Sequence, residues 1–368
     1  MSSNSSKYQS FDPAHGGALN AAAEYFDIPV NQWLDLSTGI NPTSWTVPEI
    51  PVSIWQRLPE DQHDSPQGLE QVAADYYLGA HCNETAVSKA NILPCAGSQQ
   101  GIRLLPALYN ALNQGHKSKA KVWVTAGSYA EHGIAWEEQG HRVCKVSCDH
   151  ISDLLTQQPV DVLILVNPDN PSGYRWSAEQ LLKWWSILHR RGGWLIVDEA
   201  FMDTTPEDSL ASHVEREGLF VLRSVGKFFG LAGMRLGFVL SANKMINRLR
   251  KMQGPWSVSH PAQYLGRLAL QDEEWINQQR QGLIQQSENL AGLLEKSFGC
   301  RCEGTDLFQT LYHKDAELFF IKLARQAVLV RFLPETSRTP AGLRFGLPAN
   351  NEASWQHLES ALASLKKY

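Results

Sequence analysis

One lysine and one arginine lie eight residues apart in a glycine-rich and otherwise apolar run. The run spans residues 224–237, reads SVGKFFGLAGMRLG, and contains Lys227 and Arg235. Apolar surroundings favour the neutral amine of a lysine, which is the form that attacks aldehydes. Arginine grips phosphate through two parallel hydrogen bonds. Aldehyde capture beside a phosphate site is the chemistry of pyridoxal 5'-phosphate (PLP), although a buried glycine loop with two snorkelling cations explains this run alone equally well.

Two upstream segments add the polar groups that such a cofactor needs. Apolar residues 162–166 predict a buried strand, and the turn cluster NPDNPSG that follows it contains Asn170. Residues 194–197 predict a second buried strand, which ends in Asp198. A carboxylate at the carboxyl end of a strand lies where open α/β sheets bind ligands, and it can keep a pyridine nitrogen protonated. Taken singly, Asp198 is equally a helix cap and Asn170 a turn amide, but their order and spacing favour PLP.

The order of these motifs resembles a known family. Asn-Pro-x-Asn-Pro-Ser-Gly, then Asp-Glu-Ala, then Ser-x-x-Lys with an arginine eight residues later, is similar to the fold-type I PLP enzymes of the class I/II aminotransferase group. The resemblance covers about residues 11–348. It implies an α/β fold of the aspartate aminotransferase type, with a large domain around a mostly parallel sheet and a smaller α+β domain.

The resemblance also implies which residues bind the cofactor. Lys227 would hold PLP covalently and Asp198 would pair with its ring nitrogen, which makes these two the predicted catalytic residues. Tyr129 would stack on the ring, with a core tyrosine as the alternative, and Asn170 would bond the phenolic oxygen. A helix start after a strand binds phosphate through its backbone N–H groups, unless the serine there is only an N-cap. The predicted phosphate-binding residues are Gly97, Ser98, Gln99, Ser224 and Arg235.

A second set of residues is predicted to bind the substrate. Arg344 lies between apolar neighbours on a predicted strand and would clamp a carboxylate bidentately, which lysine does poorly. His15-Gly16-Gly17 would bind a phosphate through an imidazole and backbone N–H groups. A solvent-exposed position explains Tyr174 equally well. The complete predicted set is His15, Gly16, Gly17, Asn41, Tyr174 and Arg344.

Within the group, the chain is most similar to the histidinol-phosphate aminotransferase-like branch. His15-Gly16-Gly17 and the segment LDLSTGINP at 34–42 resemble the cobalamin-pathway decarboxylases of that branch. This resemblance implies decarboxylation of L-threonine O-3-phosphate to (R)-1-amino-2-propanol O-2-phosphate. Transamination of histidinol phosphate or another amino acid with 2-oxoglutarate is the alternative, because the catalytic residues suit both reactions. A binding or regulatory protein with this fold is the third interpretation, and the intact set of catalytic residues argues against it.

Two positions depart from the pattern of the resembled family. Phe201 stands where many relatives have a tyrosine, so a hydroxyl that would bond the phenolic oxygen of PLP is missing. Gly226 stands before the lysine, where serine or threonine is frequent, so one phosphate ligand is missing. Neither departure removes a group on which PLP binding depends.

Composition limits the remaining classes of function. With 43% hydrophobic and 19% charged residues, the 368-residue chain has the composition of a globular enzyme. A net charge of -5 and the lack of a basic run argue against nucleic-acid binding. We expect no membrane span and no secretory signal, because the first fourteen residues are polar and no apolar stretch reaches about 18 residues. The six cysteines have neither metal-site nor disulfide spacing, so we expect no metal and a cytoplasmic location.

Strand and helix patterns alternate from about residue 62, which predicts a mostly parallel sheet covered on both faces. By resemblance, residues 1–45 form an N-terminal arm and part of the small domain, 46–257 the large PLP-binding domain, and 258–368 the small C-terminal domain. Residues 260–298 are predicted to be helical with one break. The family resemblance and the aromatic-rich composition predict a homodimer, and a small phosphorylated amino acid is the expected binding partner.

Overall fold

The structure, a computed structural model, describes residues 16–59, 67–79, 88–113 and 119–365. These residues form two compact units. The small unit takes the described residues of Met1–Thr43, Pro171–Gly173 and Gln279–Tyr368, and the large unit takes those of Ser44–Asn170 and Tyr174–Gln278. The boundaries between the two units therefore include 43/44 and 278/279. The domain boundaries predicted from the sequence are 45/46 and 257/258. The predicted functional domains remain a prediction.

In the described residues the strands are β1 (Leu34–Asp35), β2 (Ile92–Cys95), β3 (Lys121–Thr125), β4 (Arg142–Val146), β5 (Val162–Val166), β6 (Trp194–Asp198), β7 (Leu219–Ser224), β8 (Gly237–Ser241), β9 (Glu303–Thr305), β10 (Phe308–Tyr312), β11 (Val328–Leu329), β12 (Arg331–Leu333) and β13 (Gly342–Gly346). The α-helices there are α1 (Leu19–Phe26), α2 (Val52–Gln56), α3 (Leu69–Leu78), α4 (Ser98–Leu112), α5 (Glu131–Glu138), α6 (Ile151–Gln157), α7 (Ala178–His189), α8 (Val225–Phe228), α9 (Asn243–Gln253), α10 (His260–Leu270), α11 (Glu273–Phe298), α12 (Ala316–Ala324) and α13 (Glu352–Leu365).

The large unit is built around a sheet with the order β2-β8-β7-β6-β5-β3-β4. Strands β4, β3, β5, β6 and β7 run parallel, and β8 is antiparallel to both of its neighbours. The predicted α/β fold with a mostly parallel sheet is confirmed. All residues of β5 and β6 are buried, which is why both are near-continuous apolar runs. The sequence does not predict strand β4, because RVCKV contains no continuous apolar run. The strand lies at the edge of the sheet, pairs on one side only and exposes Arg142 and Lys145.

The two faces of this sheet have separate surroundings. Side chains alternate along a strand, so Ile196, Asp198, Leu222 and Ser224 share one face. That face packs against α4 and α5 in one buried cluster, which includes Ile196, Leu222 and Trp136. Glu199 and Arg223 consequently belong to the opposite face.

The small unit contains a four-stranded antiparallel sheet with the order β12-β13-β10-β9, and β1 pairs with β11 in parallel. The sequence of residues 328–332 predicts one short strand, whereas the structure has two, β11 and β12, separated at Val330. The predicted break in the helical stretch falls between α10 and α11. Ser65-Pro66, where a serine followed by proline predicts a helix start, lies outside the described residues. The described part of α3 begins at Leu69, with Gly68 as the N-cap residue. Among the helices described, none is both long and apolar enough to cross a bilayer.

Two helical glycines provide a matched test of this packing. A Cβ at Gly101 in α4 would lie 2.6 Å from Val239 Cγ2, whereas a Cβ at Gly282 in α11 meets no atom within 4 Å. We predict that Gly101→Ala lowers the free energy of unfolding by about 1–3 kcal/mol through overpacking. Gly282→Ala should raise it by up to about 1 kcal/mol, because alanine is the better helix former. Thermal unfolding of both variants checks this, and a Gly101→Ala protein as stable as Gly282→Ala would contradict the packing of α4 on the sheet.

Candidate active site

The carboxyl ends of β5, β6 and β7 lie side by side at one edge of the large sheet. Asn167 N donates to Asp198 O at 2.8 Å, and Glu199 N donates to Leu222 O at 2.8 Å. The pairing therefore continues to the last residues of the strands. Asn170, Asp198 and Ser224, which the sequence singled out separately, follow or end these three neighbouring strands. This is the edge at which parallel sheets bind ligands.

Asp198 is a buried carboxylate with two defined hydrogen-bond partners. It is 3% exposed, and its Oδ1 accepts from Ala200 N at 3.0 Å. His132 Nε2, on α5, lies 2.8 Å from Asp198 Oδ2, and it must be the donor if the carboxylate is ionised. A buried carboxylate needs such partners in place of water, and these two orient the group. The carboxylate lies at the sheet edge, where it could pair with a cationic nitrogen.

His132 is a residue that the sequence analysis missed. It lies three residues after Tyr129 and is itself buried. The two rings meet edge to face with centroids 6.1 Å apart, so His132 touches both Tyr129 and Asp198. Its position on the first turn of α5, just after the predicted cofactor tyrosine, is the only signal in the sequence.

The start of α4 forms an anion cradle. Gly97 is the N-cap residue with φ +75°, and no described side chain caps the helix. The Arg235 guanidinium packs on this turn, because a Cβ at Gly97 would lie 2.6 Å from Arg235 Nη2. A Cβ at Gly237 would lie 2.4 Å from Ser98 N, so β8 also approaches closely. Backbone donors at a helix start beside an arginine suit a phosphate dianion, and this donor set fits the phosphate of PLP.

Lys227 lies on the short helix α8, directly after β7. It is half-buried, and its Nζ lies 5.6 Å from the ring centroid of Phe201, which is 3% exposed. The structure therefore brings Lys227, the predicted cofactor lysine, close to Phe201, which replaces the tyrosine of many relatives. Gly226 is the second position that differs from the family pattern, and a glycine there has a steric reason. A Cβ at Gly226 would lie 2.8 Å from Ala232 Cα. Serine or threonine cannot occupy position 226 without a backbone shift.

Tyr129 is linked to the start of α4 by a side chain. Its hydroxyl lies 3.4 Å from Gln99 Oε1, and Gln99 Nε2 donates to Glu131 Oε2 at 2.7 Å. Asn170 is buried at the turn after β5. The large unit thus carries all the residues that the sequence assigned to the cofactor.

A second polar cluster lies in the small unit. Arg344 on β13 is 3% exposed, and its Nη2 donates to Ser37 O at 2.6 Å. Gly17 N donates to Ser37 Oγ at 2.9 Å, so that N–H already has a partner within the chain. A Cβ at Gly16 would lie 2.2 Å from Ser37 O, which gives this glycine a packing reason. The structure therefore brings Gly16, Gly17 and Arg344 together around Ser37.

Arg331 is a second residue that the sequence analysis missed. It pairs with Arg344 across the antiparallel strands β12 and β13, so both side chains leave the same face. Burial, together with the charge of Arg331, lowers the pKa of Arg344 well below its ordinary value. Two cationic groups at this spacing repel each other, and a bound anion would offset that repulsion.

The other predicted substrate residues have different surroundings. His15 lies outside the described residues. Asn41 is 2% exposed, donates to Gln279 Oε1 at 3.2 Å and accepts from Thr43 N. Tyr174 is 46% exposed, and its ring meets Trp176 edge to face. The roles of these residues in substrate binding remain predictions.

Comparison with known proteins identifies the family to which the chain belongs. Residues 33–362 match the family aminotransferase class I and II, and the chain belongs to that family. It is 42% identical to threonine-phosphate decarboxylase of Pseudomonas aeruginosa over 96% of this chain and 98% of that one. It is 27% identical to histidinol-phosphate aminotransferase of Clostridium kluyveri over 72% of this chain and 74% of that one. The structure of histidinol-phosphate aminotransferase from Sinorhizobium meliloti, in complex with pyridoxal-5'-phosphate, has the same fold, with a TM-score of 0.78, 18% identity and 99% of both chains covered.

His132 can be tested through cofactor affinity. We predict that His132→Phe weakens PLP binding by about 10- to 100-fold, because a hydrogen bond to a buried charged group contributes about 1.5–3 kcal/mol. Titration of the apo protein with PLP, followed by visible absorbance, measures the change. His150→Phe is the matched control, since His150 is exposed in the same unit. Equal PLP affinities for the two variants would contradict a role for His132.

Proposed function

We propose that this protein is a PLP-dependent lyase that converts L-threonine O-3-phosphate to (R)-1-amino-2-propanol O-2-phosphate and CO₂, a step of cobalamin biosynthesis. The observation that carries the proposal is the 42% identity to a threonine-phosphate decarboxylase over 96% of the chain. The relative named histidinol-phosphate aminotransferase is less similar, at 27% identity over 72% of the chain. A pair of arginines on neighbouring strands of the small unit is consistent with an amino acid substrate that carries two anionic groups.

The residues of the large unit suit each part of the cofactor. The start of α4, with Ser98 and Gln99, would hold the phosphate together with Ser224 and Arg235. Asp198, oriented by His132, would hold the ring nitrogen in its protonated form. Tyr129 would cover the ring, Asn170 would bond the phenolic oxygen, and Lys227 would hold the cofactor covalently. When bound, PLP supplies an electron sink for charge that develops at Cα of the substrate.

The arginines of the small unit would bind the two anionic groups of threonine phosphate. Arg344 would hold the carboxylate, for which the planar guanidinium is well suited. We assign the substrate phosphate to Arg331 and not to the N–H of Gly17, because that N–H already donates to Ser37 Oγ. Like charges on paired strands destabilise a sheet, and a substrate anion would offset that cost.

Substrate orientation would decide the reaction. Two anchored anionic groups would fix the rotation of the substrate about its Cα–N bond, and that rotation would decide whether the bond to the carboxylate or the bond to hydrogen is weakened by the cofactor. Holding a substrate in the reactive orientation contributes several kcal/mol to catalysis. Lys227 Nζ, freed when the substrate amine displaces it from the cofactor, would then deliver a proton to Cα, which completes the replacement of CO₂ by hydrogen.

Two reactions run side by side test the function. We expect CO₂ release from L-threonine O-3-phosphate and little from unphosphorylated threonine, which lacks the second anchor. In parallel, histidinol phosphate with 2-oxoglutarate tests transamination. Rapid glutamate formation without CO₂ release from threonine phosphate would overturn the proposal in favour of an aminotransferase.

Arg331 provides a test of the substrate site alone. We predict that Arg331→Gln raises the KM for threonine phosphate by about 10- to 100-fold, since a hydrogen bond to a charged group contributes about 1.5–3 kcal/mol. PLP affinity should stay unchanged. Arg325→Gln, at an exposed arginine of the same unit, is the control. A KM equal to that of the control would remove Arg331 from the site.

A homodimer is part of the proposal, and exposed apolar residues support it. Trp55, Leu58 and Trp256 are each 62–64% exposed. Arg57 O lies 3.3 Å from His260 Nδ1, and Pro59 lines the same surface cavity as Trp256, so these segments are neighbours. Large exposed aromatic groups mark interaction surfaces. We expect the unmutated protein to have twice the chain mass in solution at micromolar concentration, and we expect the double variant Trp55→Asp/Trp256→Asp to be a monomer. A monomeric unmutated protein would contradict the proposal.

The cytoplasmic location remains a prediction.

A further inference from the structure

A buried network of charged residues lies on the face of the large sheet opposite Asp198. Arg223 Nη1 bonds Glu199 Oε2 at 2.8 Å, and Arg223 Nη2 lies 3.2 Å from Asp203 Oδ1. All three side chains are at most 2% exposed. None of the functions assigned above uses these residues.

The position of the ion pair in the chain connects it to the cofactor site. Glu199 directly follows Asp198, which would hold the ring nitrogen, and Arg223 directly precedes Ser224, which would bind the phosphate. The two residues extend from neighbouring parallel strands, β6 and β7. A bond between their side chains therefore links the two strand ends that carry opposite ends of the cofactor.

Further contacts hold both partners at fixed positions. Glu199 Oε1 accepts from Leu210 N at 2.8 Å, and Ser209 Oγ donates to Glu199 Oε2. On the other side, Asp203 Oδ1 accepts from Tyr76 OH at 2.9 Å. With each group held from several sides, the ion pair extends the link between β6 and β7 beyond the last backbone bond of the ladder, Glu199 N to Leu222 O, and so restrains the strand ends that carry Asp198 and Ser224.

Stability alone is a weak explanation of this pair. Removing charges from water offsets much of their mutual attraction, and apolar residues of similar size often stabilise a core at least as well. A charged, forked hydrogen bond differs from apolar packing in the defined geometry that it imposes. That property matters most where residues must be held at catalytic spacing.

We propose that Glu199 and Arg223 are positioning residues, which set the spacing between Asp198 and Ser224 and thereby the fit of PLP between its ring-nitrogen and phosphate contacts. The inference rests on the PLP site of the proposed function. It assigns the acidic residue after Asp198 a role in cofactor affinity that it exerts through its neighbours, without touching the cofactor.

Two variants at position 199 separate the effect of side-chain length, here called reach, from the effect of charge. Glu199→Asp keeps the charge and shortens the side chain by one methylene, so we expect PLP affinity to fall at least tenfold. Glu199→Gln keeps the reach, and we expect affinity within threefold of the unmutated protein. Tyr76→Phe is the control inside the same network, because it loses a bond to Asp203 but leaves the link between the strands. It should lower the melting temperature of the apo protein without changing PLP affinity.

Each variant is titrated with PLP by visible absorbance, and its melting temperature is measured without PLP. Unchanged affinity in Glu199→Asp at a lowered melting temperature would overturn the proposal and leave a structural role. Equal losses in Glu199→Asp and Glu199→Gln would overturn it in favour of charge. Should Glu199→Asp fail to fold, Arg223→Lys replaces it, because lysine lacks the fork that reaches both acids; unchanged affinity there also overturns the proposal. If the unmutated protein itself binds no PLP, the proposed function fails instead.

Discussion

Parallel pairing of β5, β6 and β7 is the constraint on which the candidate active site depends. Each strand is an apolar run buried on both faces, so the hydrophobic effect alone drives the strands into the centre of the sheet. Parallel strands in register end at the same edge, and polar residues that follow them must then lie together. Asn170, Asp198 and Ser224 are neighbours for this reason, although up to 54 residues separate them in the chain.

Burial then determines the chemistry of the polar groups at that edge. A carboxylate that is 3% exposed, such as Asp198, needs hydrogen-bond donors in place of water, and His132 and the N–H of Ala200 lie within hydrogen-bond distance of it. On the reverse face, Glu199 and Asp203 enter the core with Arg223 as their shared partner. Burial raises the pKa of Glu199, and the guanidinium of Arg223 opposes that shift. The sheet edge thus carries charge on both faces.

In the small unit, the neighbouring ionisable groups are two arginines and not carboxylates. Arg344 and Arg331 lie on paired strands, and burial with this neighbour disfavours the charged form of Arg344. Such an arrangement costs stability in isolation, which a strand pair formed for structure alone would avoid. The proposed substrate, with its two anionic groups, would offset that cost, in keeping with the idea that functional sites hold strain which the rest of the fold supports.

The sequence by itself determined the family and the main strands, and it singled out the candidate cofactor residues, because each depends on local order. Apolar runs define β5 to β8, and the motifs around Asn170, Asp198 and Lys227 follow them at short distances. Tertiary structure decided the side-chain contacts that depend on strand register and on the approach of segments that are distant in the chain. His132 meets Asp198 across 66 residues, and Arg331 faces Arg344 only because β12 and β13 pair in one register. The spacing of residues in a single chain does not encode such contacts, since they arise when separate elements pack.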